Sequence, residues 1–473
     1  MAPPDDHDCR FKEEATRLRA EVDELRQKFT ELERRLLGPK TEKMPAMSGE
    51  VRKTRPADPA DAKRRRRENA TAKQELETEL VPVPVPDEAK TCPACGKGAL
   101  KSVGPGTPSV EFQYVAAHFR RRVYLRETVA CTCGDYIVTA PCPTRVSERS
   151  PYGPSFIAHL VTSKCDDGIP FYRLEKQYAR CGIPMSRSTM TDLFHRAAEL
   201  LAPLSRRILA KVALAPIVFA DETSLKMQTS DKLAFVWVFL GDKLVGFEFS
   251  TSRSGETPDR ILGDSTGELM VDLYTGYNKV TAPGRRTRAG CLAHARRKIF
   301  AAREMPEAAE ALEIIRELYV VEHDARAAKC EGSAQHLEMR RARSRPLMAR
   351  LLVWARAQRR SHAPKSVMGR AAGYILRNRK PLCRFLAVAA LPLDNNRAEA
   401  ALRRVALGRK NYLFVGHEDA GKNTAGLFSL VASCALNRIN PIEYLTDVLV
   451  RVDSHDHRRL DELLPDRWRP PAG

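Results

Sequence analysis

"PIVFADETSLKM", Pro216 to Met227, carries the decision about the fold. Four apolar residues, Ile217 to Ala220, lead directly to an acid, Asp221. An apolar run this short, rich in β-branched side chains and opened by proline, reads as a buried strand. Working outward, "KLAFVWVFLGD" (Lys232–Asp242) and "LVGFEFSTSR" (Leu244–Arg253) read as the next two strands. "GETPDRIL" (Gly255–Leu262) reads as a helix. "GELMVDLYTGY" (Gly267–Tyr277) then runs a further apolar strand into Asp272, and "RTRAGCLAHARRKIFAA" (Arg286–Ala302) gives a short strand and a basic helix.

Three meandering strands, a helix and another strand suggest a ribonuclease-H-like sheet, in which the first and fourth strands are neighbours. Asp221 and Asp272 then face one pocket. Glu222 belongs to the opposite face of its strand. Two carboxylates form either a structural pair or a Mg²⁺ site. A third acid would complete a two-metal site for phosphoryl transfer. It is sought in "LPLDNNRAEAALRRVALGRK" (Leu391–Lys410), where Glu399 stands among arginines. Asn395 or Asn396 can cap that helix and leave Glu399 in its first turn, where the dipole favours a charged acid. Arg397, Arg403, Arg404, Arg409 and Lys410 then meet DNA phosphates. The other reading of Glu399 is a salt-bridged surface acid. Asp264 and Asp394 are competing carboxylates, and Cys291 with His294 forms a C-x-x-H pair of open role.

The remaining chain supplies modules around this core. Phe11, Ala15, Leu18, Val22, Leu25, Phe29, Leu32 and Leu36 recur at spacings of four and three, a heptad seam ending at Gly38-Pro39. It predicts a coiled coil over 1–38 that joins chains into a homo-oligomer. Residues 39–88 form a basic, proline-rich linker with "VPVPVP" (Val81–Pro86) as an extended spacer. Cys92 and Cys95, then Cys131 and Cys133, form two close thiol pairs. Four such ligands suit tetrahedral structural zinc, with metal-free reduced thiols as the alternative. This module is placed at 89–145, with His118 and Cys142 as weaker ligands. Residues 150–210 read as helices resembling a helix-turn-helix. Ser188 is the expected N-cap, and Arg187, Thr189 and Thr191 are positioned near DNA.

At 473 residues the chain exceeds a single core, and 43% hydrophobic content is enough for several soluble ones. A net charge of +20 seeks a large polyanion, most commonly nucleic acid. No apolar run is long enough to span a membrane, and the N-terminus lacks a signal-peptide pattern. The expectation is a cytoplasmic, nucleoid-associated protein whose twelve cysteines are reduced.

The ordered motifs "LLGPKTEK", "CPACG…CTCG", "PFYRLEKQYARCGIPMSRSTM", "ADET", "VDLYTGYN", "CLAHARRK" and "DNNRAEAALRRVALGRKNYLFVG" resemble the insertion sequence 66 family of DDE transposases from end to end. The resemblance implies a DNA transposase with Asp221, Asp272 and Glu399 binding catalytic Mg²⁺ or Mn²⁺. It implies action on double-stranded element ends and target DNA, with accessory proteins of the same element as further partners. It also implies an insertion before the last catalytic helix, placed at about 303–390 within a catalytic domain of 211–415. A C-terminal helical module follows at 416–473. Where the family usually has arginine after the glutamate and a later proline, this chain has Ala400 and Arg404. The competing reading is a transposase-derived protein that binds DNA without cutting it.

Overall fold

The computed structural model describes residues 150–470 except Leu413, together with Phe119, Thr128–Ala130, Ile137–Thr139 and Val146. The segments expected to form the coiled coil and the linker, and Cys92, Cys95, Cys131 and Cys133 of the expected zinc module, lie outside the described residues. Two short strands, β1 (Thr128–Ala130) and β2 (Ile137–Thr139), pair antiparallel and bracket the Cys131/Cys133 segment.

Three helices come next: α1 (Pro154–Cys165), α2 (Phe171–Arg180) and α3 (Arg187–Leu214). Gly182, after α2, has φ +79°, a left-handed turn that glycine adopts without steric cost. Ser186, not Ser188, caps α3: its hydroxyl accepts from Thr189 N at 3.2 Å. An N-cap is the residue immediately before the first helical one, and with the helix beginning at Arg187 that residue is Ser186. The helix is 28 residues long and passes through the expected boundary at 210. Its second half, with Leu204, Ile208 and Val212 buried, is packed into the main core.

The sheet follows: β3 (Ile217–Met227), β4 (Ser230–Gly241), β5 (Leu244–Ser250), helix α4 (Glu256–Leu262), β6 (Glu268–Val271) and β7 (Thr287–Gly290). Its order is β5-β4-β3-β6-β7, with the first three strands antiparallel and β6 and β7 parallel to β3. The first and fourth strands are therefore neighbours. Asp221 does not end its strand as the sequence suggested. It is the fifth residue of eleven, because the hairpin with β4 continues to Met227/Ser230.

After β7 come α5 (Leu292–Phe300), then α6 (Pro306–Ala327), α7 (Ala334–Met339), a π-turn at Arg340–Ser344, α8 (Arg345–Ser361), α9 (Val367–Arg377) and α10 (Arg379–Leu382). The expected insertion is thus helical throughout its ordered elements. One buried arginine fastens it. Arg340 pairs with Glu322 and donates to the carbonyls of Phe385, Val388, Ala389 and Leu391. Those carbonyls belong to the segment returning to the sheet.

The last elements are α11 (Asn396–Tyr412), β8 (Phe414–Val415), α12 (Glu418–Leu436) and α13 (Pro441–Arg451). β8 pairs with the far end of β3 at Lys226 and Met227. α12 lies against the edge strand β5. Ser429 and Ser433 accept hydrogen bonds from Phe247 N (2.7 Å) and Val245 N (3.0 Å), so that edge leaves neither N–H unpaired. Gly421 permits this approach, since a Cβ there would collide with the Phe249 ring. The C-terminal helices are thus part of the same compact unit as the sheet. No helix among the described residues is long and apolar enough to cross a membrane.

Candidate active site

β3 is long and β6 is short, and the site follows from that mismatch. β6 pairs with β3 only at Ile217, Val218 and Phe219, while β8 pairs at Lys226 and Met227. Between them one edge of β3 has no strand beside it. α11 and the turn before it fill the gap with side chains. Asn395 Nδ2 donates to Ala220 O at 2.8 Å, and Arg409 Nη1 donates to Ser224 O at 2.6 Å. Extending the β3/β6 register by two residues sets Asp221 beside Asp272.

Both aspartates are anchored locally. Asp221 Oδ1 accepts from Glu222 N at 2.9 Å, and Asp272 Oδ1 accepts from Tyr274 N at 3.0 Å. Burial pushes the Asp221 carboxyl up to about 7, and the negative charges of Glu222, Asp272 and Glu399 add to the effect. The bond from Glu222 N opposes it. Glu399 is thus close enough for its field to reach Asp221.

Glu399 lies in the first turn of α11, half-buried. Its carboxylate is engaged by α5: Arg297 Nη2 is 3.4 Å from Oε2, and His294 Nδ1 is 3.7 Å from Oε1. Among the described residues, ligand atoms of Cys291, His294 and Glu399 fall within 4.8 Å of one another, an arrangement that could hold a metal ion. The thiol is poorly suited to that role. Its sulfur is buried and already accepts from Asn395 N at 3.3 Å, and burial pushes the thiol up to about 11.

The turn before α11 is built by Asp394 and Asn395. Asp394 accepts from Asn396 N (3.1 Å) and from the Tyr319 hydroxyl (2.8 Å), so both its oxygens are occupied in shaping the turn. Asn395 is fully buried and ties the turn to β3 and to the start of α5 at once. Sequence reading treated it as a helix cap and missed this role. Arg297, which pairs with Glu399, and Arg253 and Tyr277, which bond to Glu222, were missed as well. Asp264 pairs with Arg285.

The basic residues divide. Arg403 and Lys410 are exposed on α11. Arg404 forms an ion pair with Asp166 after α1. Arg409 is held to β3, and Arg397 lies over the Phe219 ring at 4.7 Å. In the helical region Arg187 is exposed and pairs with Glu175 at 3.4 Å. The hydroxyl of Thr189 bonds to Ser186, and that of Thr191 donates to Arg187 O.

The profile of the transposase IS66 family matches residues 149–423, and that of the IS66 C-terminal element matches residues 429–465. The chain is 32% identical over 407 residues to uncharacterized protein y4jD of Sinorhizobium fredii (strain NBRC 101917 / NGR234), covering 81% of this chain and 79% of the relative. A second protein of that strain, uncharacterized protein y4hP, is 29% identical over 409 residues, covering 80% and 73%. The chain belongs to the IS66 family of transposases.

Proposed function

We propose that this chain cuts the ends of its insertion element and joins them to target DNA by two-metal phosphoryl transfer. The sheet is read as ribonuclease-H-like, which its strand order and directions support. One observation carries the reading. Continuing the β3/β6 register brings Asp221 opposite Asp272, and Asp221, buried and raised to about 7 chiefly by that burial, also feels the negative charges of Glu222, Asp272 and Glu399. Such a cluster favours a bound cation. The donors are all hard oxygens, which suit Mg²⁺ or Mn²⁺ rather than zinc. When bound, a cation pair there would activate water or a 3′-hydroxyl and stabilise the departing oxygen.

The chain's own groups then have separate roles. Asp221, Asp272 and Glu399 hold the cations. Asn395 fixes the position of α11 against β3. Arg403 and Lys410 bind the phosphate backbone, and the start of α3, with Arg187, Thr189 and Thr191, approaches DNA. Arg297 and His294 hold the Glu399 carboxylate in the metal-free state. From sequence alone we add a coiled-coil oligomer over 1–38 and one structural zinc on Cys92, Cys95, Cys131 and Cys133.

The test is end cleavage with Mg²⁺ on a duplex carrying the element's end. Asp272→Asn keeps the side chain's size and removes its charge. Cleavage should fall by orders of magnitude while DNA binding survives. Cleavage at the wild-type rate would remove the assignment.

A further inference from the structure

Glu222 follows Asp221 in β3, so its side chain leaves the opposite face of the strand. That side chain is 1% exposed. Its Oε1 accepts from Arg253 Nε at 2.9 Å and from Arg253 Nη2 at 2.5 Å. Its Oε2 accepts from the Tyr277 hydroxyl at 2.8 Å. A carboxylate engaged by a full positive charge and a phenol has little left for a metal ion. Its work is to hold the arginine.

Arg253 stands just after β5 and is fixed from a second side. Its guanidinium lies 4.1 Å from the Tyr274 ring centre, and the Tyr274 hydroxyl donates to Arg253 O at 2.7 Å. Tyr274 N is the donor to Asp272. Arg253 is therefore gripped by the neighbour of Asp221 and by the residue two beyond Asp272. Yet 46% of its side chain is exposed, and the bonds to Glu222 do not use Nη1. Ordinary surface ion pairs contribute little and hold their long side chains loosely. A half-exposed arginine held by a buried acid and an aromatic face is instead pre-organised, and its planar fork suits phosphate oxygens.

We propose that Arg253 binds a backbone phosphate of the DNA strand entering the Asp221/Asp272 cluster, with Glu222 as its positioning residue. The inference rests on the transposase reading for the nature of the polymer.

The experiment uses the full chain and a labelled duplex carrying the terminal repeat that flanks its own coding sequence. Affinity is measured against salt concentration in chelator, so no strand is cut. Losing one phosphate contact should lower the slope of log affinity against log salt by about 0.9. Arg253→Ala should show that loss, and Arg253→Gln should repeat it in a variant closer in shape. Arg253→Lys should keep the slope and bind more weakly, having charge without the fork. Glu222→Gln should weaken binding in the wild-type background and have no further effect beside Arg253→Ala. A merely structural Glu222 would weaken both backgrounds, and that result would overturn its positioning role. Wild-type slope and affinity in folded Arg253→Ala and Arg253→Gln would overturn the phosphate contact. With normal wild-type cleavage beside it, that result would leave the transposase reading standing. A lost slope in a protein that never cleaves would support the contact and remove the reading of the reaction.

Discussion

Asp221 is a carboxyl held far from its ordinary range. Burial, reinforced by Glu222, pushes it up to about 7, against roughly 3.9 in an unfolded chain. Between those values the folded state keeps a proton that the unfolded state has released. Stability from this group is therefore lost as pH rises through the window, the reverse of a salt-bridged aspartate. At about 1.4 kcal/mol per unit, the cost reaches a few kcal/mol at neutral pH. Asp221→Asn should remove it. In chelator, its melting temperature should fall less than that of the wild type between about pH 5 and pH 7. Added Mg²⁺ should raise the wild-type value more than the variant's. Equal pH slopes for the two proteins would contradict the burial argument. The aspartates themselves were legible in sequence, since each follows an apolar run, and strand alternation placed Glu222 on the other face. Their partners were not. Arg253 and Tyr277 lie 31 and 55 residues from Glu222, Arg297 lies 102 from Glu399, and Asn395 lies 175 from Ala220. No local periodicity spans such separations.

Among elements, α11 is the one whose placement matters most, and Asn395 is its main tie. The residue is fully buried and donates to Ala220 O inside the gap between β6 and β8. Asn395→Ala leaves that carbonyl without its donor, at a cost of about 1–3 kcal/mol. The urea midpoint should fall with an unchanged slope, and end cleavage should suffer more than DNA binding. An unchanged midpoint would show that α11 is held without the Asn395 bond, by its apolar face and by ties such as Arg409 to Ser224 O. The strand order was readable from pattern, as apolar runs of strand length, whereas the insertion came from the family resemblance. The extent of β3 was not readable, because Thr223, Ser224 and Lys226 look like a turn. They remain in a strand because β4 pairs with Thr223 to Leu225 and, past a register shift, with Met227, while β8 pairs with Lys226 and Met227. Ser429 and Ser433 serve the edge of β5, a role that shows only when the two elements meet.

At the scale of the whole molecule, transposition requires two DNA ends to be brought together. The heptads from Phe11 to Leu36 are the part of the chain whose sequence suits that task. Deleting residues 1–38 should reduce the oligomer seen by light scattering and impair end pairing. An unchanged oligomer would move assembly to the compact unit. The net charge of +20 should make DNA binding steeply salt-dependent whatever the chemistry, so binding alone cannot identify the enzyme. The most direct test is the joining of a labelled element end to target DNA in Mg²⁺, at saturating DNA, for Glu399→Gln and Arg403→Ala side by side. The account predicts that Glu399→Gln binds DNA and joins nothing, because a neutral amide is a poor ligand for a hard cation. It predicts that Arg403→Ala binds more weakly and recovers joining once DNA is saturating. Joining by Glu399→Gln at the wild-type level would contradict it, and would make Glu399 a surface acid paired with Arg297.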